Sequence, residues 1–269
     1  MHRRTPAVLG AVALTALVAA GCSDAGPART AAATPSPTGA AAASTIASAT
    51  ASSKAPSTAA SASDAGYRQS TIRVDGQTDR ARYDVQLPQV EGGDPTVSAR
   101  YDSSMRAALQ DQIDGDYGEG MHFTLTGGED STTTVSPGTV SGLLQTSWDA
   151  DPPGAHSTAL LATVVIDRKT ARPITLAELF PDEQAGLQRL SEESAKLLPD
   201  TVVGSDYDAA GIAPVEHNFA NWLPTAQGMQ IHFLEYQVGP YAAGLVTITI
   251  PWEHLRDVVA PGLYAAVSS

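Results

Sequence analysis

The chain has 269 residues, 42% of them hydrophobic and 17% charged, and a single cysteine, so its core is held by burial without an internal disulfide. Its 16 Lys and Arg stand against 29 Asp and Glu, a formal net charge of −13. So acidic a chain is poorly matched to the phosphate backbone of nucleic acid or to anionic lipid headgroups.

Arg3 and Arg4 open the chain, fourteen mostly apolar residues follow from Ala7 to Ala20, and then comes Gly21-Cys22-Ser23. This is the order of a basic n-region, an apolar h-region and a small-residue cleavage site. The apolar run is shorter than the roughly 20 residues a spanning helix needs. Ala19-Ala20-Gly21-Cys22 resembles the lipobox of bacterial lipoproteins, although Ala19 stands where that pattern most often has Leu. The resemblance implies removal of residues 1–21, lipidation of Cys22 (with palmitate among the acyl chains), and anchoring on the extracytoplasmic face of the cell membrane. Ordinary secretory cleavage fits the same composition and leaves Cys22 a free thiol in an oxidising compartment. Arg3-Arg4 also points to twin-arginine export, but Thr5-Pro6 lacks the apolar pair that usually follows. Cleavage takes away Arg3 and Arg4 and no acid, so the net charge goes from −13 to −15. Anchoring then falls to the acyl chains, at about 0.8 kcal/mol per buried CH2.

Residues 22–66 read as a disordered tether behind the lipidated N-terminus. They are almost all Ala, Ser, Thr, Pro and Gly, and Ile46 is their one large aliphatic residue. Such a segment cannot bury enough apolar surface to offset its ordering entropy. As a flexible coil it reaches about 35–40 Å. Every aromatic residue lies beyond it, so residues 67–269 are expected to form one folded domain.

Within that domain, Tyr67–Val74 and Arg82–Val90 read as strands, the second with Tyr83, Val85 and Leu87 on one face. Asp94 followed by Pro95 predicts a capped helix, and Val97, Tyr101, Met105, Leu109 and Ile113 give it an apolar stripe. Strands are expected over Met121–Thr126, Val140–Trp148 and Ala159–Ile166, with a turn at Arg168-Lys169-Thr170. Thr175 and Glu178 form a capping-box pattern, and Asp182 starts a longer helix that Pro199 ends. Asn218–Leu223, Met229–Tyr236 and Leu245–Ile250 read as strands, and Pro251 opens a last short helix, Trp252–Val259. Without βαβ regularity, the pattern predicts an α+β fold, a mixed and largely antiparallel sheet with helices packed on it.

Catalytic signatures are missing. His122, His156, His217, His232 and His254 show no H-E-x-x-H or H-x-x-x-H spacing, and there is no nucleophile elbow or phosphate loop. Glu216-His217 is an adjacent acid and base, but neighbouring residues on a strand point to opposite faces. Asp114, Asp116 and Glu119 lack the positions of a calcium loop and read as solvated. The chain is expected to be no enzyme, with no catalytic residue, metal or cofactor.

Pro173-Ile-Thr-Leu-Ala-Glu-Leu-Phe180, Ile231-His-Phe-Leu-Glu-Tyr-Gln-Val-Gly-Pro-Tyr-Ala-Ala-Gly244 and Thr249-Ile-Pro-Trp252 together resemble the RsiV-type extracytoplasmic domain. Gly154-Ala155-His156 and Gln86–Val90 are similar to further segments of that family. The domain occurs in a lysozyme-sensing anti-sigma factor, beside a peptidoglycan deacetylase domain, and in secreted mycobacterial proteins. This chain shows no sigma-binding segment with a spanning helix and no deacetylase H-x-x-x-H pair. What the resemblance implies is a binding module of the cell envelope, for a cationic protein such as lysozyme or for a cell-wall component.

Pro240 and Tyr241 are the candidate binding residues. Gly239-Pro240 fixes a tight connection between strands, and Tyr241 is the amphipathic side chain such a loop presents at interfaces. Tyr241 folded back onto the sheet is the other reading of the same residues. Two alternatives to a binding module remain: an envelope hydrolase or deacetylase, if His156, His217 or Glu235 meet in a pocket, and a structural or assembly lipoprotein with no small ligand.

Overall fold

The computed structural model describes residues 66–269; Cys22, the leader and the tether up to Ala65 lie outside the described residues. β1 (Tyr67–Gln77) and β2 (Ala81–Gly92) pair antiparallel, residue for residue, from Tyr67 opposite Gly92 to Gln77 opposite Arg82. Asp94 accepts from the backbone N–H groups of Thr96 and Val97 and caps α1 (Pro95–Asp114), with Pro95 in its first turn. All five residues of the apolar stripe are buried. α1 carries the chain to β3 (His122–Gly127), which lies parallel to β2. A parallel neighbour needs a crossover of a dozen or more residues, and α1 provides the one such crossover among the described residues.

β5 (Thr139–Asp151) is long enough to take two partners along one edge. β4 (Thr132–Val135) pairs with its first half and β3 with its second, while β6 (Thr158–Asp167) takes the other edge. Thr175 and Glu178 then form a complete capping box on α2 (Leu176–Leu179), and Asp182 caps α3 (Glu183–Leu197). Short 3-10 turns lead into a second sheet, antiparallel throughout, of β7 (Trp222–Pro224), β8 (Met229–Phe233) and β9 (Val246–Ile250). α4 (Trp252–Leu255) and α5 (Pro261–Val267) follow. The fold is α+β, with mostly antiparallel sheets and helices packed on them, as the sequence predicts.

The core has two parts. The α1 stripe meets Val85, Leu87, Phe123, Leu125, Leu144 and Ile166 on one face of the first sheet. Leu143 and Val165, on the opposite face, join Leu179, Phe180, Leu187, Leu190, Ile231 and Phe233 in the second. β5 and β6 are therefore covered on both sides, which is why neither shows a clean alternation of apolar and polar residues.

Three expectations change in detail. Glu216–Phe219 is a 3-10 turn and not the start of a strand. Asn218 Nδ2 donates to the carbonyls of Ala210 and Ala213 at 2.9 and 3.0 Å, a side-chain alternative to strand pairing. The helix at Trp252 stops at Leu255 because Arg189 of α3 takes the His254 carbonyl, the acceptor that a continuing helix needs, and Val258 N–H turns to Leu255. β8 stops at Phe233, three residues before its expected end, and that early exit shapes the site.

Candidate functional site

The segment between β8 and β9 is pinned from within. Gln237 accepts from Leu234 N–H at 3.0 Å through Oε1 and donates through Nε2 to the carbonyls of Gly211 and Asn218 at 3.0 and 2.9 Å. Asp208 N–H bonds the Val238 carbonyl at 2.9 Å. This bracing holds Tyr236 in the left-handed region, φ 64°, where a non-glycine residue is uncommon and carries strain. Tyr236 is nevertheless 58% exposed.

Pro240 is exposed at the head of the 3-10 turn Tyr241–Ala243, and Tyr241 is half-buried. It packs back, but onto a side chain from another loop: its ring stacks on His156 with centroids 3.9 Å apart and an interplanar angle of 26°. Tyr236 completes a trio, 5.6 Å from Tyr241 and 6.4 Å from His156. His156 Nδ1 lies 2.9 Å from the Ser157 carbonyl, which can only accept, so Nδ1 carries the proton. In the neutral ring Nε2 then accepts from Tyr236 Oη at 3.3 Å. The Tyr236–Tyr241 contact is worth about 0.5–1.5 kcal/mol beyond area burial and adds to the stacking of Tyr241 on His156.

A cleft of about 200 Å³ opens beside it, lined by Tyr241, Glu235, Glu129, Asp130, Gln145 and Thr146 among others, and no basic side chain lines it. Glu235 Oε2 accepts from Ala159 N–H at 3.2 Å, which ties the loop to β6. The wall at Glu129-Asp130 depends on Gly128, which has φ 96° and passes so close to the Gln86 backbone that a Cβ there would collide with it. The cleft is smaller than the roughly 300 Å³ at which pockets begin to enclose drug-sized ligands. It admits one side chain or one ring. A second cleft of about 220 Å³, at Thr163, Ile174, Glu216 and Trp222, also falls below that volume.

His156 and Glu235 thus come to one corner of the molecule. His217 does not: it lies exposed on the 3-10 turn Glu216–Phe219 and is absent from that cleft's lining. Ser157 Oγ donates to Asp149 at 2.7 Å and has no imidazole partner. Among the described residues no three His, Cys, Asp or Glu side chains converge as a metal site. His232, on β8, accepts or donates at Thr247 Oγ1 at 3.2 Å, and burial pushes its pKa down.

Sequence reasoning missed Tyr236 by placing it inside a strand. A signal was there: Met229, Ile231 and Phe233 alternate inward, and the next inward position is the charged Glu235. A carboxylate in that phase marks the end of a buried strand.

Residues 177–253 match the model of a protein family of unknown function, DUF3298. The likeness covers α3, the second sheet and the loop carrying Tyr236 and Tyr241. No curated protein matches the chain. A crystal structure of a DUF3298-family member from Bacteroides fragilis is similar over 77% of this chain and 99% of that one, at 15% identity and a TM-score of 0.55. A DUF3298-family protein from Pseudomonas aeruginosa is matched over 74% of this chain and 97% of that one, at 15% identity and a TM-score of 0.48. The Bacteroides structure shows that the fold is shared. Among the described residues no helix is long and apolar enough to cross a membrane.

Proposed function

We propose that the protein is a non-enzymatic binding module of the bacterial cell envelope, of the RsiV type, held to the outer face of the membrane through lipidated Cys22. Its partner is a cationic protein such as lysozyme, or a cell-wall component, and not nucleic acid. Pro240, Tyr241 and Tyr236 present the contact surface. The observation that supports this reading is the braced aromatic trio: an exposed tyrosine held in a strained backbone conformation beside a small acidic cleft. Strain persists only where surrounding structure over-determines it, and it concentrates where side chains are presented for recognition. A cleft too small for a whole ligand suits one cationic or ring-shaped group of a larger partner.

The test is binding of purified residues 22–269 to catalytically inactive lysozyme and to muropeptides, by calorimetry. Saturable binding to either class is expected, and Tyr241→Ala or Tyr236→Ala is expected to weaken it about tenfold or more, as for an aromatic anchor. Absence of binding to both classes, or binding that neither substitution changes, overturns the proposal. Mass spectrometry of the membrane-borne N-terminus against Cys22→Ala tests the anchor; an unmodified wild-type mass removes it.

A further inference from the structure

The outer edge of β1 is the least defended feature of the first sheet. Among the described residues it has a backbone partner on one side only, β2, and no other backbone hydrogen bond reaches its second edge. Edge strands are usually short, bulged, or broken by Pro or Lys, because an open edge recruits another strand. β1 is defended only by the charges of Arg68, Arg73 and Asp75: it runs 11 residues, against a usual 5 or 6, in unbroken register, and contains neither Pro nor Lys. Ile72 and Val74 on its core-facing side are only half-buried.

The charges along this edge are self-complementary. Asp75 sits directly opposite Asp84 on β2, so two carboxylates face one another. One guanidinium serves both: Arg73 binds Asp84 in a two-pronged contact at 2.7 and 2.6 Å and reaches Asp75 only at 3.9 Å. Asp75 is therefore short of a cation, and its side chain is 65% exposed.

From this geometry we infer that β1 is a homodimer interface, in which the outer edges of two copies pair antiparallel about Val74. A two-fold axis perpendicular to the sheet keeps both core faces on the same side, so only residues of equal parity oppose each other. Among such registers, the one centred on Val74 sets Arg73 against Asp75 of the second copy, and Asp75 against its Arg73. Thr71 then faces Gln77, and the half-buried Ile72 and Val74 gain cover. Each protomer's under-served carboxylate receives a guanidinium, while main-chain hydrogen bonds close the open edge over residues 71–77.

The register is tested by cysteine crosslinking of the full-length chain in membranes. Opposed residues in an antiparallel pair have Cβ atoms about 4.5–5.5 Å apart, close to disulfide reach. Val74→Cys is expected to give an oxidised dimer where wild type, with Cys22 alone, gives none. Thr71→Cys and Gln77→Cys chains, tagged differently and expressed together, are expected to crosslink to each other, and neither to itself. Asp75→Arg, which opposes guanidinium to guanidinium, should cut the Val74→Cys dimer yield about tenfold. The double change Arg73→Asp with Asp75→Arg should restore it, because the carboxylate at position 73 of each copy then faces the guanidinium at position 75 of the other. A thermal melt of each variant by circular dichroism separates lost pairing from lost folding. No Val74→Cys dimer from folded protein overturns the inference. So does an Asp75→Arg chain that crosslinks as well as its parent, or crosslinking only to other proteins.

Discussion

Glu193 is the most demanding side chain in α3. Its carboxylate is 8% exposed and is met by Lys196 Nζ at 2.6 Å and by His254 Nδ1 at 2.9 Å. Burial alone pushes such a carboxyl up; here the hydrogen bonds and charges of Lys196 and His254 outweigh burial and hold it below its ordinary 4.5. A group with a depressed folded pKa contributes stability above its unfolded value and loses it as pH falls through the folded one. Glu193→Gln is therefore expected to cost about 1–3 kcal/mol at neutral pH, with a deficit that shrinks below pH 4.5. Urea unfolding of both proteins across that range checks it; a deficit independent of pH contradicts the ion-pair account. Tyr236 is the opposite case, a residue placed at a cost to stability. Tyr236→Gly relieves about 1–2 kcal/mol of left-handed strain but gives up the ring contacts and the His156 hydrogen bond and frees the unfolded chain, so stability should change by no more than about 1 kcal/mol. A melting temperature lowered by several degrees would mean that the ring is held for packing and not for presentation.

At the scale of elements, α1 was fully legible because every local cue agreed: Asp94 as cap, Pro95 in the first turn, and a stripe at four-residue spacing. Its seat on the sheet was not legible, since it depends on a glycine two strands away. A Cβ at Gly142 would fall on Tyr101 Oη and Met105 Cε, and Tyr101 Oη bonds Thr133 Oγ1 at 2.8 Å. Gly142→Ala is expected to destabilise by about 1–3 kcal/mol by overpacking this seam. Gly154→Ala, where nothing lies within 4 Å, serves as the neutral comparison in the same melt. Equal melting temperatures would show that α1 tolerates displacement. The elements that sequence reading missed share one trait, weak local signal with strong tertiary support. β4 is Thr-Thr-Thr-Val and exists by pairing with residues 140–143 of β5. α5 buries only Val267, and Arg256 lies over its Tyr264 ring at 4.5 Å.

At the scale of the whole molecule, alternation and caps fix class but not which strand sits beside which. The split into two sheets and the parallel placing of β3 follow from contacts far apart in sequence, as does the meeting of His156 with Tyr236 and Tyr241, about eighty residues away. Charge, by contrast, is a whole-molecule property that composition states directly. The four charges of residues 23–66, Asp24, Arg29, Lys54 and Asp64, cancel, and residues 67–269 carry a net charge of −15. A field of that size steers a cationic partner over distances up to the Debye length, about 8 Å at physiological ionic strength and about 30 Å at 0.01 M. It acts mainly on the rate of encounter, because exposed charges are screened while groups already in contact are not. Association with lysozyme should therefore slow about tenfold or more between low and physiological salt, while dissociation changes far less. Stopped-flow measurement of both rates against salt decides the matter. A salt-independent association rate would mean that the acidic surface serves solubility alone, and that the aromatic corner works without electrostatic guidance.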